Sequence, residues 1–267
     1  MPQDKESRTK EILEAGGEIV GSATGAAAGL IFGGPAGAVG GAAIGPVVSR
    51  AIVHVCSQLS DRLSGRQKAR VGAVVSYAAV FLKEKLESGA ELRNKWILQG
   101  DPERSKTEEV LEGCLLKARD TYEEKKLKHM ARLLANIPFI DISSELANQA
   151  IVMSEQLTYR QFCILSLAAT FPRHLRKDNY VGIVLSHEHQ FLLEEALDLH
   201  RRGLLGFYDS KEQKYLLFLD TQHMQPALMV PHLLLGETFV HLLGLRDIER
   251  TDLDSIEKML AAPKALS

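Results

Sequence analysis

The sequence predicts a mainly α-helical protein: an N-terminal glycine-zipper helix or helical hairpin, a helical middle, and a C-terminal winged-helix-like module with a short β-hairpin. Three observations lead there. Glycines step by four from Gly17 to Gly45, apolar residues recur at helical spacing from about residue 66 to 137, and the period changes after Gly203. The expected divisions are a polar segment at 1–18, a glycine-zipper membrane segment at 19–49, a helical domain at 50–156, the winged-helix-like module at 157–248, and a C-terminal helix and tail at 249–267.

Gly17, Gly21, Gly25, Gly29, Gly33, Gly37, Gly41 and Gly45 form the ladder. A four-residue step lays them along one slowly drifting helical stripe. Each interior glycine costs a helix about 1 kcal/mol relative to alanine, so close approach of another helix must offset the loss, as at small-xxx-small membrane interfaces. Ile19–Ser49 holds no charged residue in 31 positions. That exceeds the ~20 residues of one membrane span and falls short of the roughly 40 needed for two. Phe32–Gly37 contains Pro35 and reads as a central turn. Seventeen of the 31 residues are glycine or alanine and nine are large and apolar, so insertion is marginal on hydrophobicity alone. A flexible linker, or a hairpin buried within the protein, is the bland alternative. Arg50, Arg62, Arg66, Lys68 and Arg70 follow the segment against a single acid, Asp61. Such a basic flank stays cytoplasmic and rests on anionic lipid, or else forms a solvated helix face.

The elements follow in order. Pro46 opens a helix towards Leu63, and Ser64-Gly65 interrupts it. A second helix is expected from about Arg66 to Leu98 on the stripe Val74, Tyr77, Phe81, Leu82, Leu86, Leu92 and Trp96, weakened by Gly72 and Gly89. Ser105–Glu108 matches a capping box and starts a third helix to about Ile137, with Glu123, Glu124, Lys125, Lys126, Lys128 and Arg132 on a solvated face. Pro138 ends it, and a short helix covers Ser144–Leu157.

Thr158–Gln161 is another capping box and opens a helix to about Phe171, closed by Pro172. Tyr180–Leu185 is an apolar run readable as helix or strand. Ser186 caps a helix to His200–Arg202, with Gly203 as its stop. Leu204–Tyr208 and Lys214–Leu219 read as two strands, Leu233–Leu245 as a helix, and Leu253–Ala261 as the last one.

Four stretches carry a family resemblance: Lys125–Asn136 (KKLKHMARLLAN), Glu155–Arg160 (EQLTYR), His200–Leu205 (HRRGLL) and Leu235–Leu245 (LGETFVHLLGL). The order of elements from about 123 to 248, about half the chain, resembles the abortive-infection alpha type of bacterial defence protein. The resemblance implies a C-terminal helical and winged-helix-like region and a role in phage exclusion or cell suicide. It brings no catalytic residues with it, and the glycine ladder is not part of it.

Chemistry-bearing constellations are sparse. The formal charge is −2, which gives no general attraction for nucleic acid. Cys56, Cys114 and Cys163 are odd in number and far apart, against both a disulfide framework and a zinc knuckle; a reducing compartment fits best. Acids among the first eighteen residues argue against a secretory signal peptide. His187-Glu188-His189 is spaced i, i+2, which does not converge on one metal from a helix. No P-loop or HExxH pattern occurs. The helix at His187–Arg202 carries Glu188, Glu194, Glu195 and Asp198, which would face a negative duplex.

The expectation is therefore a non-enzymatic protein without cofactor or metal. Its partners are a membrane, further copies of itself and a protein of unknown identity, with nucleic acid a poor fit. It would sit at the bacterial inner membrane with its soluble part in the cytoplasm. The alternative is a cytoplasmic winged-helix-like adaptor or regulator that binds protein or, with less support, DNA.

Overall fold

The computed structural model describes residues 63–91, 93, 106–170, 175–217 and 220–261, apart from the side chain of Lys83. The glycine ladder, Arg50, Arg62, the helix expected from Pro46 and the box at Ser105 lie outside the described residues. The described chain is mainly helical with one small antiparallel sheet. It forms two compact units that meet in sequence between Gln156 and Leu157.

In the first unit, α1 spans Gly65–Glu87, α2 Lys106–Asp120, α3 Lys125–Asn136 and α4 Ser144–Gln156. Ser64 does more than interrupt a helix. Its hydroxyl accepts from the Gln67 amide at 3.4 Å while Gln67 Oε1 accepts from the Ser64 amide at 2.9 Å, a reciprocal cap that starts α1. α1 stops at Glu87, eleven residues before the expected Leu98. Gly89 adopts φ +78°. Its amide then reaches the Leu86 carbonyl, and the Ala90 amide reaches that of Lys85, both at 3.0 Å. This paired closure is a Schellman motif, which a left-handed glycine makes inexpensive.

The single helix expected from Ser105 to Ile137 is two. Thr121 turns its hydroxyl onto the Lys117 carbonyl at 2.9 Å, and its amide is shared between the Lys117 and Ala118 carbonyls at 3.2 Å. Lys117 and Arg119 fall at the negative end of α2, and Glu123 and Glu124 at the positive start of α3. Each set of charges favours a helix terminus at that point.

The face expected to be solvated is also partly packed. Lys126 is buried, with its ammonium donating to the Glu155 carbonyl at 2.7 Å. Burial pushes its pKa down, against the opposing pull of Glu123 and Glu155. The Arg132 guanidinium stands 4.4 Å from the centre of the Phe81 ring. Val71, Val74, Ala78 and Leu82 of α1 pack with Leu111, Cys114 and Leu115 of α2 and Leu127, Met130 and Ala131 of α3, all buried.

In the second unit α5 spans Tyr159–Thr170 and α6 His187–Arg201. Three strands follow, β1 Leu205–Asp209, β2 Lys214–Leu216 and β3 Met229–Pro231, then α7 Leu235–Leu243 and α8 Arg250–Ala261. The sheet order is β2-β1-β3, antiparallel throughout. α5 is buried continuously from Gln161 to Ala168; β3, α6, α7, α8 and a short 3₁₀ turn at Leu245–Asp247 pack around it. A helix apolar on every side is a central helix.

The Thr158 box forms as expected. The Gln161 amide donates to Thr158 Oγ1 at 3.1 Å, and the Thr158 amide to Gln161 Oε1 at 2.9 Å. Gly203, φ +72°, ends α6 through the same double closure as Gly89, onto the His200 and Leu199 carbonyls. Tyr180–Leu185 forms neither a helix nor a continuous strand; only Leu185 makes an isolated bridge. A turn with Gly182 at φ +78° brings the Ile183 amide to the Tyr180 carbonyl at 3.0 Å. β3 has no counterpart among the expected elements. It is three residues long and ends in Pro231, which an edge strand tolerates.

Candidate functional site

Of the expected site residues, only Arg66, Lys68 and Arg70 fall in the described chain, all in the first two turns of α1. No acidic residue accompanies them in the first turn. Positive side chains at a helix N-terminus oppose the helix dipole, a loss of roughly 0.3–1 kcal/mol each at the surface; helix stability alone does not select them. The three are not equivalent. Arg66 is exposed and sits 3.7 Å from Glu124. Arg70 is half-buried and donates to the Arg119 carbonyl at 3.1 Å. Arg119 in turn grips Asp120 at 2.7 Å and holds that carboxyl below its usual range. Of the basic flank, Arg66 is exposed, Lys68 is half-buried, and Arg70 joins α1 to the end of α2.

In the second unit the polar groups at the start of α5 are tied to α6. Thr158 Oγ1 donates to Glu195 Oε1 at 2.9 Å, and Arg160 donates to the other oxygen of the same carboxylate. Gln161 Nε2 and Arg202 Nε both reach Asp198 Oδ2 at 2.9 Å. Residues 158–161 are thus tied to α6, Thr158 and Arg160 through Glu195, and Gln161 through Asp198, which it shares with Arg202. Their chemistry is a satisfied, structural network.

The acids of α6 divide accordingly. Glu195 and Asp198 are engaged within the fold, while Glu188 and Glu194 are exposed beside Phe191, which is 65% exposed. Such a face carries no Arg or Lys before Arg201 with which to read a base edge.

Other candidate groups are spread apart. His187 is exposed and His189 is buried against Tyr180, their rings 5.1 Å apart at 68° for the latter pair, so the two histidines face different surroundings. The Tyr180 hydroxyl and His189 Nε2 are both buried without a hydrogen-bond partner. Burial, and then the Arg176 guanidinium, pushes the His189 pKa down; burial pushes that of Tyr180 up. Burial also pushes the Cys114 thiol up to about 12, which makes it a poor nucleophile. Among the described residues no group of three or more His, Cys, Asp and Glu side chains is placed to hold a metal ion. Nor is any described helix long and apolar enough to cross a membrane.

Sequence reasoning missed one surface. Tyr208, Tyr215, Leu217 and His232 fall on the outer side of the sheet, with Leu233 and Leu234 adjoining. The alternation Tyr215–Leu217 was the available signal, but without β3 the residues had no common plane. Compared with known protein families, characterised proteins and solved structures, the chain matches none.

Proposed function

We propose that the protein is a non-enzymatic, membrane-associated effector that acts through its glycine-zipper segment, with bacterial defence against phage as its setting. The observation that carries this reading is the unbroken ladder of eight glycines from Gly17 to Gly45, overlapping an uncharged stretch of 31 residues. So many helix-weakening residues on one stripe are offset when a second helix packs at backbone distance, which is how lipid-embedded helices associate. Arg66 and Lys68, set against the dipole of α1, suit an anionic lipid surface next to that segment. The likeness of residues 123–248 to the abortive-infection alpha type supplies the biological setting. The two folded units act as the part that senses a partner and restrains the segment, and the segment associates copy to copy once released.

The test is a triple substitution, Gly29→Leu, Gly33→Leu and Gly37→Leu, in the full chain, read out as growth arrest on expression and as leakage of dye from vesicles. The reading expects both effects to disappear while far-UV circular dichroism of the folded units is unchanged. Undiminished toxicity and leakage would refute the mechanism.

A second reading is a winged-helix-like adaptor. It is favoured by the succession of two helices and a hairpin in residues 159–216 and by the apolar outer face of the sheet. The acids of α6 favour protein over DNA as its partner. It expects full-length protein to be monodisperse without detergent and to leave vesicles intact.

A further inference from the structure

α1 is buried on more sides than its described neighbours account for. Among the described elements its main neighbours are α2 and α3, and they take the side of Val71, Val74, Ala78 and Leu82. At about 100° per residue, Ala73 stands between about 100° and 180° around the axis from each of those four. It is nevertheless only 1% exposed. Gly72 beside it is buried, Ala69 one turn earlier is half-buried, and the Ser76 hydroxyl one turn later is buried. Val80, seven residues after Ala73 and on the same stripe, is 52% exposed. A cover therefore lies over this face at 69–76 and stops short of Val80.

Chain connectivity identifies the cover. Arg70 donates to the Arg119 carbonyl, so the end of α2 lies by the start of α1, and α2 runs back along it. Residues 94–105, which join Arg93 to Lys106, thus leave and return at the far end of α1, about 20 Å along the axis from Ala73. The residues before α1 start at the near end. Only Leu63 and Ser64 separate residue 62 from α1, and Leu63 is buried. So short a connection makes two helices antiparallel neighbours.

The sequence on that side fits the face. In residues 51–62, Ile52, Val55, Cys56 and Leu59 recur at helical spacing, with His54, Ser57, Gln58 and Asp61 opposite. Counted outward from the turn, Leu59 falls opposite Ala69, Val55 opposite Ala73 and Ile52 opposite Ser76. Large side chains thus meet small ones, as close helix packing needs. Arg50 interrupts the apolar stripe at the level of Ala78, where the cover ends. A segment tethered by two residues also holds a millimolar-range advantage in effective concentration over any separate partner.

We propose that residues 51–62 dock as an antiparallel stem on the 69–76 face of α1 and so tie the glycine ladder to the first folded unit. Gly45 follows within two helical turns of the stem, so a partner that moves α1 moves the ladder with it. The docking itself does not depend on whether residues 19–49 enter lipid.

The full chain with Ala73→Cys in a Cys56→Ser background tests this by the rate of maleimide labelling, with and without Val55→Glu. Val80→Cys in the same background is the exposed control. Cys114 and Cys163 are buried, one in each unit, and their staying unlabelled shows that both units remain folded. Position 73 should label at least about tenfold more slowly than position 80, and Val55→Glu should remove that difference by local release of the stem. Fast labelling at position 73 in the starting chain would overturn the proposal. So would protection that survives Val55→Glu, or protection lost on dilution, which would assign the cover to a second copy. The triple glycine substitution should leave position 73 protected, so this proposal and the membrane reading fail separately.

Discussion

The Thr158 hydroxyl donates to the Glu195 carboxylate at 2.9 Å, so the residue that caps α5 is held by the middle of α6. Because Arg160 donates to the same carboxylate, one side chain fixes two groups of the first turn of α5. Hydrogen bonds to a charged partner are worth about 1.5–3 kcal/mol. Glu195→Ala is expected to lower the stability of the second unit by about 2 kcal/mol in urea unfolding followed by circular dichroism, by the same principle. Glu195→Gln should recover part of that, because its amide oxygen still accepts from Thr158.

Gly236 in the first turn of α7 is fixed by sterics. A β-carbon there would lie 2.1 Å from the Leu204 carbonyl oxygen and 3.1 Å from the Pro231 carbonyl carbon, both backbone atoms that cannot rotate away. The Leu204 oxygen also accepts the His232 amide at 3.0 Å, which pins it further. Gly236→Ala should therefore destabilise by about 2–3 kcal/mol through overpacking, despite the gain in helix propensity. A thermal melt of the variant checks this, and an unchanged midpoint would contradict the packing of α7 on the strand ends.

Much of this was legible in the sequence. The Thr158 and Ser186 caps and the Gly203 stop are spelled out by residues whose local chemistry leaves one choice, and the structure uses each as expected. The end of α1 is hidden in the sequence because a glycine such as Gly89 reads equally as a weak helix former and as a left-handed cap. The gap between α2 and α3 was missed because helical periodicity continues across it; the charge reversal from Lys117 and Arg119 to Glu123 and Glu124 marks it better. β3 is too short for any periodicity, and its place depends on pairing with β1, a tertiary fact. The outer sheet face was hidden for the same reason. Lys126 shows a further limit, since a lysine is buried by whatever carbonyl its neighbours offer, and the sequence does not display that carbonyl.

His189 ties stability to pH. Its folded-state pKa lies below the ordinary 6.5 because burial and Arg176 disfavour the imidazolium. As pH falls through about 6.5 the unfolded chain takes up a proton that the folded chain refuses. Stability is thus fully present above that pH and declines on acidification. His189→Phe keeps the ring contact with Tyr180 and removes the titration. It should flatten the loss of stability on acidification below about pH 6.5, seen as a smaller drop in melting temperature than wild type. Identical slopes for the two proteins would show that His189 is not the source.

Fractionation of cells with an alkaline wash of the membranes, comparing the full chain with a form lacking residues 19–49, shows whether the glycine ladder inserts into lipid. The full chain is expected to stay in the washed membranes and the deleted form to be released, because only a lipid-embedded segment resists the wash. Both forms in the soluble fraction would contradict it and leave the adaptor reading in its place.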